Sequence, residues 1–235
     1  MSPRRLADLA WTEVPSHALL VVPIGSCEQH GPHLPMDTDL RIATALCESL
    51  ASARPDVVIA PPLTVTASGE HQSFPGTLSI GTIATEAAVV ELVRSALPTA
   101  GSPRPSPFVA VVLVNGHGGN VESLARAEAL LVDEGRDVLV WHPRVPGGDS
   151  HAGATETSIL LHLDPGCVRS DRIETGSTAR WRDIGPTVIA EGLAAVTANG
   201  VLGDPTTATA AQGRRMLDAL VADLADAVAA RHGDG

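Results

Sequence analysis

The sequence predicts an α/β fold: a three-layer α/β/α arrangement around a mostly parallel sheet. Two observations lead to this. Four short apolar runs rich in β-branched residues read as strands buried on both faces, and amphipathic helical patterns alternate with them. Hydrophobic residues make up 44% of the 235 positions and charged residues 18%, with no compositional break, so residues 1–235 read as one domain with a substantial core.

The elements follow in order. Residues 19–24, "LLVVPI", form the first strand, and residues 40–53 a helix with Ile42, Leu46 and Leu50 on one face. Residues 57–60, "VVIA", are the second strand; residues 85–97 repeat the helical spacing with Val89, Leu92 and Val93. The Pro/Ser-rich stretch 99–108 reads as a surface connection before the third strand, 109–114. A helix over 121–134 carries Leu124, Glu128 and Leu131 and stops at Gly135, and residues 138–141 are the fourth strand. Thr155, Glu156 and Thr157 open an apolar helical run, 159–163. Between 169 and 205 periodicity is weak and Gly, Pro and Thr are frequent, which predicts long ordered loops. Residues 210–232 close the chain as an amphipathic helix with Leu217, Leu220, Leu224 and Val228 inward.

Composition narrows the function. The net charge is −11, basic residues do not cluster beyond pairs such as Arg4-Arg5 and Arg214-Arg215, and Tyr is absent, so neither a nucleic-acid backbone nor stacked bases are expected partners. No apolar run is long enough for a signal peptide or a membrane span, and a membrane partner is not expected. Cys27, Cys47 and Cys167 are odd in number and lack CxxC spacing, which argues against disulfides and for a reducing cytoplasm.

Three segments carry chemistry, each at the carboxyl end of a different predicted strand. In residues 23–39, Glu28 and His30 stand two apart in extended backbone, so their side chains converge while Gln29 points elsewhere. Gly31, Pro32 and Pro35 then stiffen the passage to Asp39. The second segment is "VLVNGHGGN", 112–120, centred on His117; the third is "GDSHAGATETS", 148–158, with His151 and Glu156. Each has a plainer reading: a helix N-cap at Asp37, Thr38 or Asp39, a structural histidine at 117, a dipole partner at Glu156. Their coincidence at one end of a wound sheet, where ligands bind, favours a shared site. Imidazoles and carboxylates without thiolate suit zinc, manganese or iron, and five such groups suit a two-metal hydrolytic site with a bridging carboxylate and an acidified water. A fourth segment, "SGEHQSFPGTLSIG", 68–81, offers Glu70 and His71, with Phe74 and Thr77 nearby, for substrate contact ahead of metal ligation. His17, His33, His142, His162 and His232 read as structural or exposed.

Together "GSCEQHGPHLPMDTD", "SGEHQSFPGT", "NGHGGN" and "HAGATETS" resemble the creatininase family of metal-dependent amidohydrolases, from about residue 9 to 213. The resemblance implies a homo-oligomer with two divalent ions, Zn, Fe or Mn. It implies Glu28, Asp39 and His117 as ligands of one ion, and His30 with a bridging Asp39 for the other. Creatininase proper carries a further ligand glutamate two positions after the motif histidine. Here that position is Gly119, so Glu156 is implied as the compensating ligand and His151 as acid/base, with Ser73 and Asn115 joining Glu70, His71, Phe74 and Thr77 on the substrate side. Within the family, "EQHGPHLPMDTDLRIA" and "NGVLGDPTTATA" are most similar to mycofactocin-system members. These are peptidases that release a C-terminal Val-Tyr dipeptide from a modified ribosomal precursor peptide. Creatinine or another small amide is the alternative substrate, and a nucleotide-binding or scaffold protein using "NGHGGN" as a phosphate turn is the alternative of another class.

Overall fold

The computed structural model describes residues 3–99 and 106–233. Four strands, β1 (Ala18–Ile24), β2 (Val57–Ile59), β3 (Phe108–Asn115) and β4 (Val138–Trp141), pair in the order β2-β1-β3-β4, all parallel. Six helices accompany them: α1 (Thr38–Ala53), α2 (Gly81–Ala96), α3 (Val121–Asp133), α4 (Ala154–Leu163), α5 (Trp181–Glu191) and α6 (Ala210–His232).

Alternation along the strands divides the core into two layers. Leu19, Val21, Val112 and Val114 face α1, α4 and α6, meeting Leu46, Leu50, Ile159, Leu160, Leu220 and Leu224. Leu20, Val22, Ile24, Val111 and Leu113 face the other way, onto Val89 and Val93 of α2 and Leu124 and Leu131 of α3. The result is the expected three-layer α/β/α fold. Near-continuous apolarity in β1 and β3 follows from this, because both faces of a central parallel strand are covered.

Expected bounds and observed ones differ in a few places. α2 begins at Gly81, four residues before the periodic pattern, and the Ser79 hydroxyl accepts the Gly81 N–H at 3.2 Å. Glu128 of α3 accepts the Val140 N–H of edge strand β4 at 2.9 Å. The stretch 169–205 is not only loop: it contains α5, a helix carrying Gly185 and Pro186 internally, which masked its periodicity. Val188 of α5 joins Leu193 and Leu202 in a small third cluster, with Phe74 packed against it. Most of the expected 99–108 connection lies outside the described residues.

Candidate metal centre

Strands β1 and β3 are neighbours from which the chain winds to opposite sides, and the crevice outside their carboxyl ends is where such a sheet binds ligands. Glu28 and His30 leave β1 here; His117 leaves β3. Two glycines bring α1 up to this edge. A β-carbon on Gly25 would stand 2.6 Å from the Leu40 backbone, and one on Gly116 would overlap the Asp39 carbonyl. Only with both side chains absent can the first turn of α1 carry Asp39 between the two strand ends.

Asp39 is the centre of the cluster. One carboxylate oxygen lies 3.0 Å from His30 Nε2; the other accepts the Ser26 hydroxyl at 2.7 Å and lies 3.2 Å from His117 Nδ1. Glu28 Oε1 lies 3.1 Å from the same His117 nitrogen, and Glu156 Oε2 3.9 Å from His30 Nε2. Ligand atoms therefore converge in triads: Glu28, Asp39 and His117; His30, Asp39 and Glu156; Glu28, His30 and His151. The first two share Asp39. Neighbouring Asp37, by contrast, sits at the N-cap position without capping, and pairs with Arg41 at 2.8 Å.

The residues fit a cation on two grounds. Glu28 is fully buried, yet neither carboxylate oxygen has a hydrogen-bond partner, a costly arrangement that a bound cation relieves. The imidazoles are also anchored as ligands require. His30 Nδ1 donates to the Glu28 carbonyl at 3.1 Å and His117 Nε2 to the Ala67 carbonyl at 2.7 Å, leaving the opposite nitrogens toward the carboxylates. Glu156, in the first turn of α4, accepts the Ala152 N–H at 2.6 Å; Ala152 holds φ +51°, a left-handed conformation that turns the chain from His151 into α4.

Electrostatics divide the histidines. Burial disfavours charge on His30 and His117, but Asp39 beside the first and Glu28 with Asp39 beside the second outweigh it, raising His30 to about 10 and His117 well above its usual value. Burial, helped by the neighbouring His117, holds His71 down at about 4; burial with the His30 and His71 charges holds His151 well below its usual value. Burial also lifts Glu156 to about 7.

The cluster lies at the base of a cleft of about 1010 Å³, reached by Glu28, His71, His117 and His151. Of the residues expected on the substrate side, Glu70 and His71 line it. The others are placed elsewhere. Asn115 is buried and donates to the His117 carbonyl at 2.6 Å, Phe74 packs against the third apolar cluster, Thr77 accepts the Gln29 N–H at 3.2 Å, and Ser73 is exposed. In the Gly-rich turn considered as a phosphate cradle, Gly119 lies against the His117 ring. Two features went unread in the sequence: Gln29, which contacts His71 and His151, and the cleft wall of Trp181, Val188 and Ile189 on α5. The position of Gln29 inside "EQH", and the rarity of Trp in an aromatic-poor chain, were the available signals.

The family described as creatininase, creatinine amidohydrolase, matches residues 7–228 of this chain. The chain belongs to the creatininase family. This creatininase-family protein is accordingly a metal-dependent amidohydrolase. It is 50% identical over 216 residues to a protein named mycofactocin precursor peptide peptidase from Mycolicibacterium smegmatis, covering 89% of this chain and 84% of the relative. It is equally 50% identical, over 220 residues and with the same coverage, to the protein of that name from Mycobacterium tuberculosis. Creatinine amidohydrolase of Pseudomonas putida is 27% identical over 259 residues, covering 95% of each chain. Among solved structures, a mutant creatininase complexed with creatine superposes with a TM-score of 0.82 at 26% identity, covering 99% of both chains. A mutant creatininase described as Zn-Zn type gives 0.80 at 26% identity over 96% of this chain and 97% of that one, and a creatininase with Mn gives 0.78 at 26% identity over 98% of both. Among the described residues, no helix is long and apolar enough to cross a membrane.

Proposed function

We propose that this protein is a two-metal peptidase of the cytoplasm, assembled as a homo-oligomer, that releases the C-terminal Val-Tyr dipeptide from the modified mycofactocin precursor peptide. The observation that carries this reading is the 50% identity to relatives bearing that peptidase name. The cleft of about 1010 Å³ supports it, being far roomier than a single small cyclic amide requires.

On this reading Glu28, Asp39 and His117 hold one ion and His30, Asp39 and Glu156 the other, with Asp39 shared. Such ions supply Lewis acidity toward the scissile carbonyl and bring the pKa of water near neutrality. The chain's own groups do the rest. His151, uncharged and at the cleft base, accepts a proton and returns it to the departing amine. Glu70 and His71 line the approach of the peptide, and the α5 wall shields its apolar side chains from water.

The test is incubation of purified, metal-replete protein with the modified precursor peptide, the unmodified peptide and creatinine in parallel, with products read by mass spectrometry. Dipeptide release from the modified peptide is expected. Creatinine turnover without peptide cleavage would overturn the substrate assignment and favour the small-amide alternative.

A further inference from the structure

The buried Gln29 amide has one orientation consistent with its partners. Its Oε1 accepts the Gly31 N–H at 2.8 Å, and its Nε2 lies 3.0 Å from the Gly200 carbonyl. Turning the amide over would set NH₂ against an N–H and oxygen against a carbonyl. The two amide protons then have two acceptors: the Gly200 carbonyl and His71 Nδ1, 3.0 Å away. His151 Nε2 lies 3.0 Å from the same amide nitrogen but 2.9 Å from the Gln29 backbone carbonyl. A carbonyl can only accept, so this ring nitrogen carries a proton and donates it there.

Both imidazoles are therefore protonated on Nε2 yet turned opposite ways, with ring centroids 4.5 Å apart. His151 presents a bare Nδ1, 3.9 Å from Glu28 Oε1, whereas His71 presents an Nε2–H, 3.3 Å from that same oxygen and not aligned to bond it. In their neutral, ligating form His30 and His117, like His151, rest an N–H on a backbone carbonyl and aim a lone pair inward. His71 is the one member of this group whose carbonyl-type anchor is replaced by a donor.

We propose that Gln29 is a positioning residue: its side-chain amide makes His71 a hydrogen-bond donor into the cleft, while its backbone carbonyl makes His151 a proton acceptor. The site thereby has a donor side and an acceptor side set by one residue. Amide hydrolysis uses both. As the C–O bond forms, water gives a proton to His151 Nδ1 and the carbonyl oxygen gains negative charge, which the His71 N–H stabilises by hydrogen bonding. As the C–N bond breaks, the nitrogen leaves with its electron pair and takes up that proton, so one water is consumed and a carboxyl and an amine result.

The tautomers stand on geometry alone; their catalytic effect is measured on the precursor peptide and so rests on the peptidase reading. Side-chain ¹H–¹⁵N correlation spectra of the zinc-loaded wild-type protein, with His71 and His151 identified by single His→Gln variants, decide the first. Protons on Nε2 of both rings are expected; a proton on His71 Nδ1, or zinc bound at His71 Nε2, overturns the proposal. In Gln29→Glu the carboxylate can only accept, so the His71 proton is expected to move to Nδ1. In Gln29→Met, which keeps volume but donates nothing, the preference for Nε2 is lost. Both variants should lower kcat by about 10- to 100-fold with KM changed little. Folded variants that keep wild-type tautomers, or keep wild-type kcat after the tautomer has changed, refute it. If the wild type does not cleave the peptide, the substrate reading fails while the spectra still judge Gln29.

Discussion

Gly119 lies against the imidazole of His117 so closely that a β-carbon there would overlap His117 Nε2, and would also stand 2.7 Å from the Ala67 carbonyl to which that nitrogen donates. The same β-carbon would overlap the Glu70 carboxylate. A side chain at this position thus has no room, and the carboxylate that joins His30 and Asp39 in their triad is Glu156 of α4.

Gly119→Ala is accordingly expected to push His117 off the Ala67 carbonyl. Overpacking of this kind costs about 1–3 kcal/mol, and thermal unfolding should show it. Metal content should fall with it, because the His117 lone pair no longer points at Glu28 and Asp39. Unchanged melting and full occupancy would mean that the turn gives way at no cost.

The shared position of Asp39 separates two kinds of ligand loss. Asp39→Ala removes the group common to both triads and should abolish tight binding of both ions, whereas Glu156→Ala removes a group from one triad and should leave about one ion per chain. Elemental analysis after gel filtration reads both. Equal losses in the two variants would disprove the division of ligands between the ions.

Metal removal should expose the proton chemistry of the cluster. His30, raised to about 10, is charged at neutral pH in the metal-free protein, and a ligating imidazole must be neutral. Loading therefore expels protons, and affinity rises with pH; calorimetry in buffers of different ionisation enthalpy counts the protons released. For stability, a folded pKa above the unfolded 6.5 stabilises fully below about 6.5, and that stabilisation is lost as pH climbs through about 10. Metal-free protein should thus melt progressively lower between neutrality and pH 10. A flat melting profile across that window would contradict the assignment.

What was legible in the sequence depended on how local its cause is. β4 and α6 occupy the residues read for them, because continuous apolarity and helical spacing are local patterns that the two-sided core enforces. Glu28 and His30 converge as their two-residue spacing implies, and the glycine-flanked passage brings Asp39 to the head of α1. α5 escaped because Gly185 and Pro186 interrupt its pattern, and its helicity is supported by packing of Val188 onto Leu193 and Leu202. Gln29 escaped for a different reason. Alternation placed it away from Glu28 and His30, but its partners Gly200 and His151 are 171 and 122 residues distant, and no local pattern encodes them.

The α5 wall yields the last prediction. Trp181 is 48% exposed at the start of α5 and Ile189 80% exposed near its end, and both line the cleft that holds the His/carboxylate cluster. Neither belongs to the cluster's triads, so their contribution is expected on binding rather than on bond breaking. A peptide side chain covering this wall removes apolar surface from water at about 25 cal/mol per Å². Trp181→Ala should therefore raise KM for the precursor peptide by about 3- to 10-fold, from roughly 0.7–1.4 kcal/mol of lost contact, with kcat held. Metal content and the His71 and His151 tautomers should stay as in the wild type. A fall in kcat at unchanged KM would instead place α5 in the ordering of the catalytic groups.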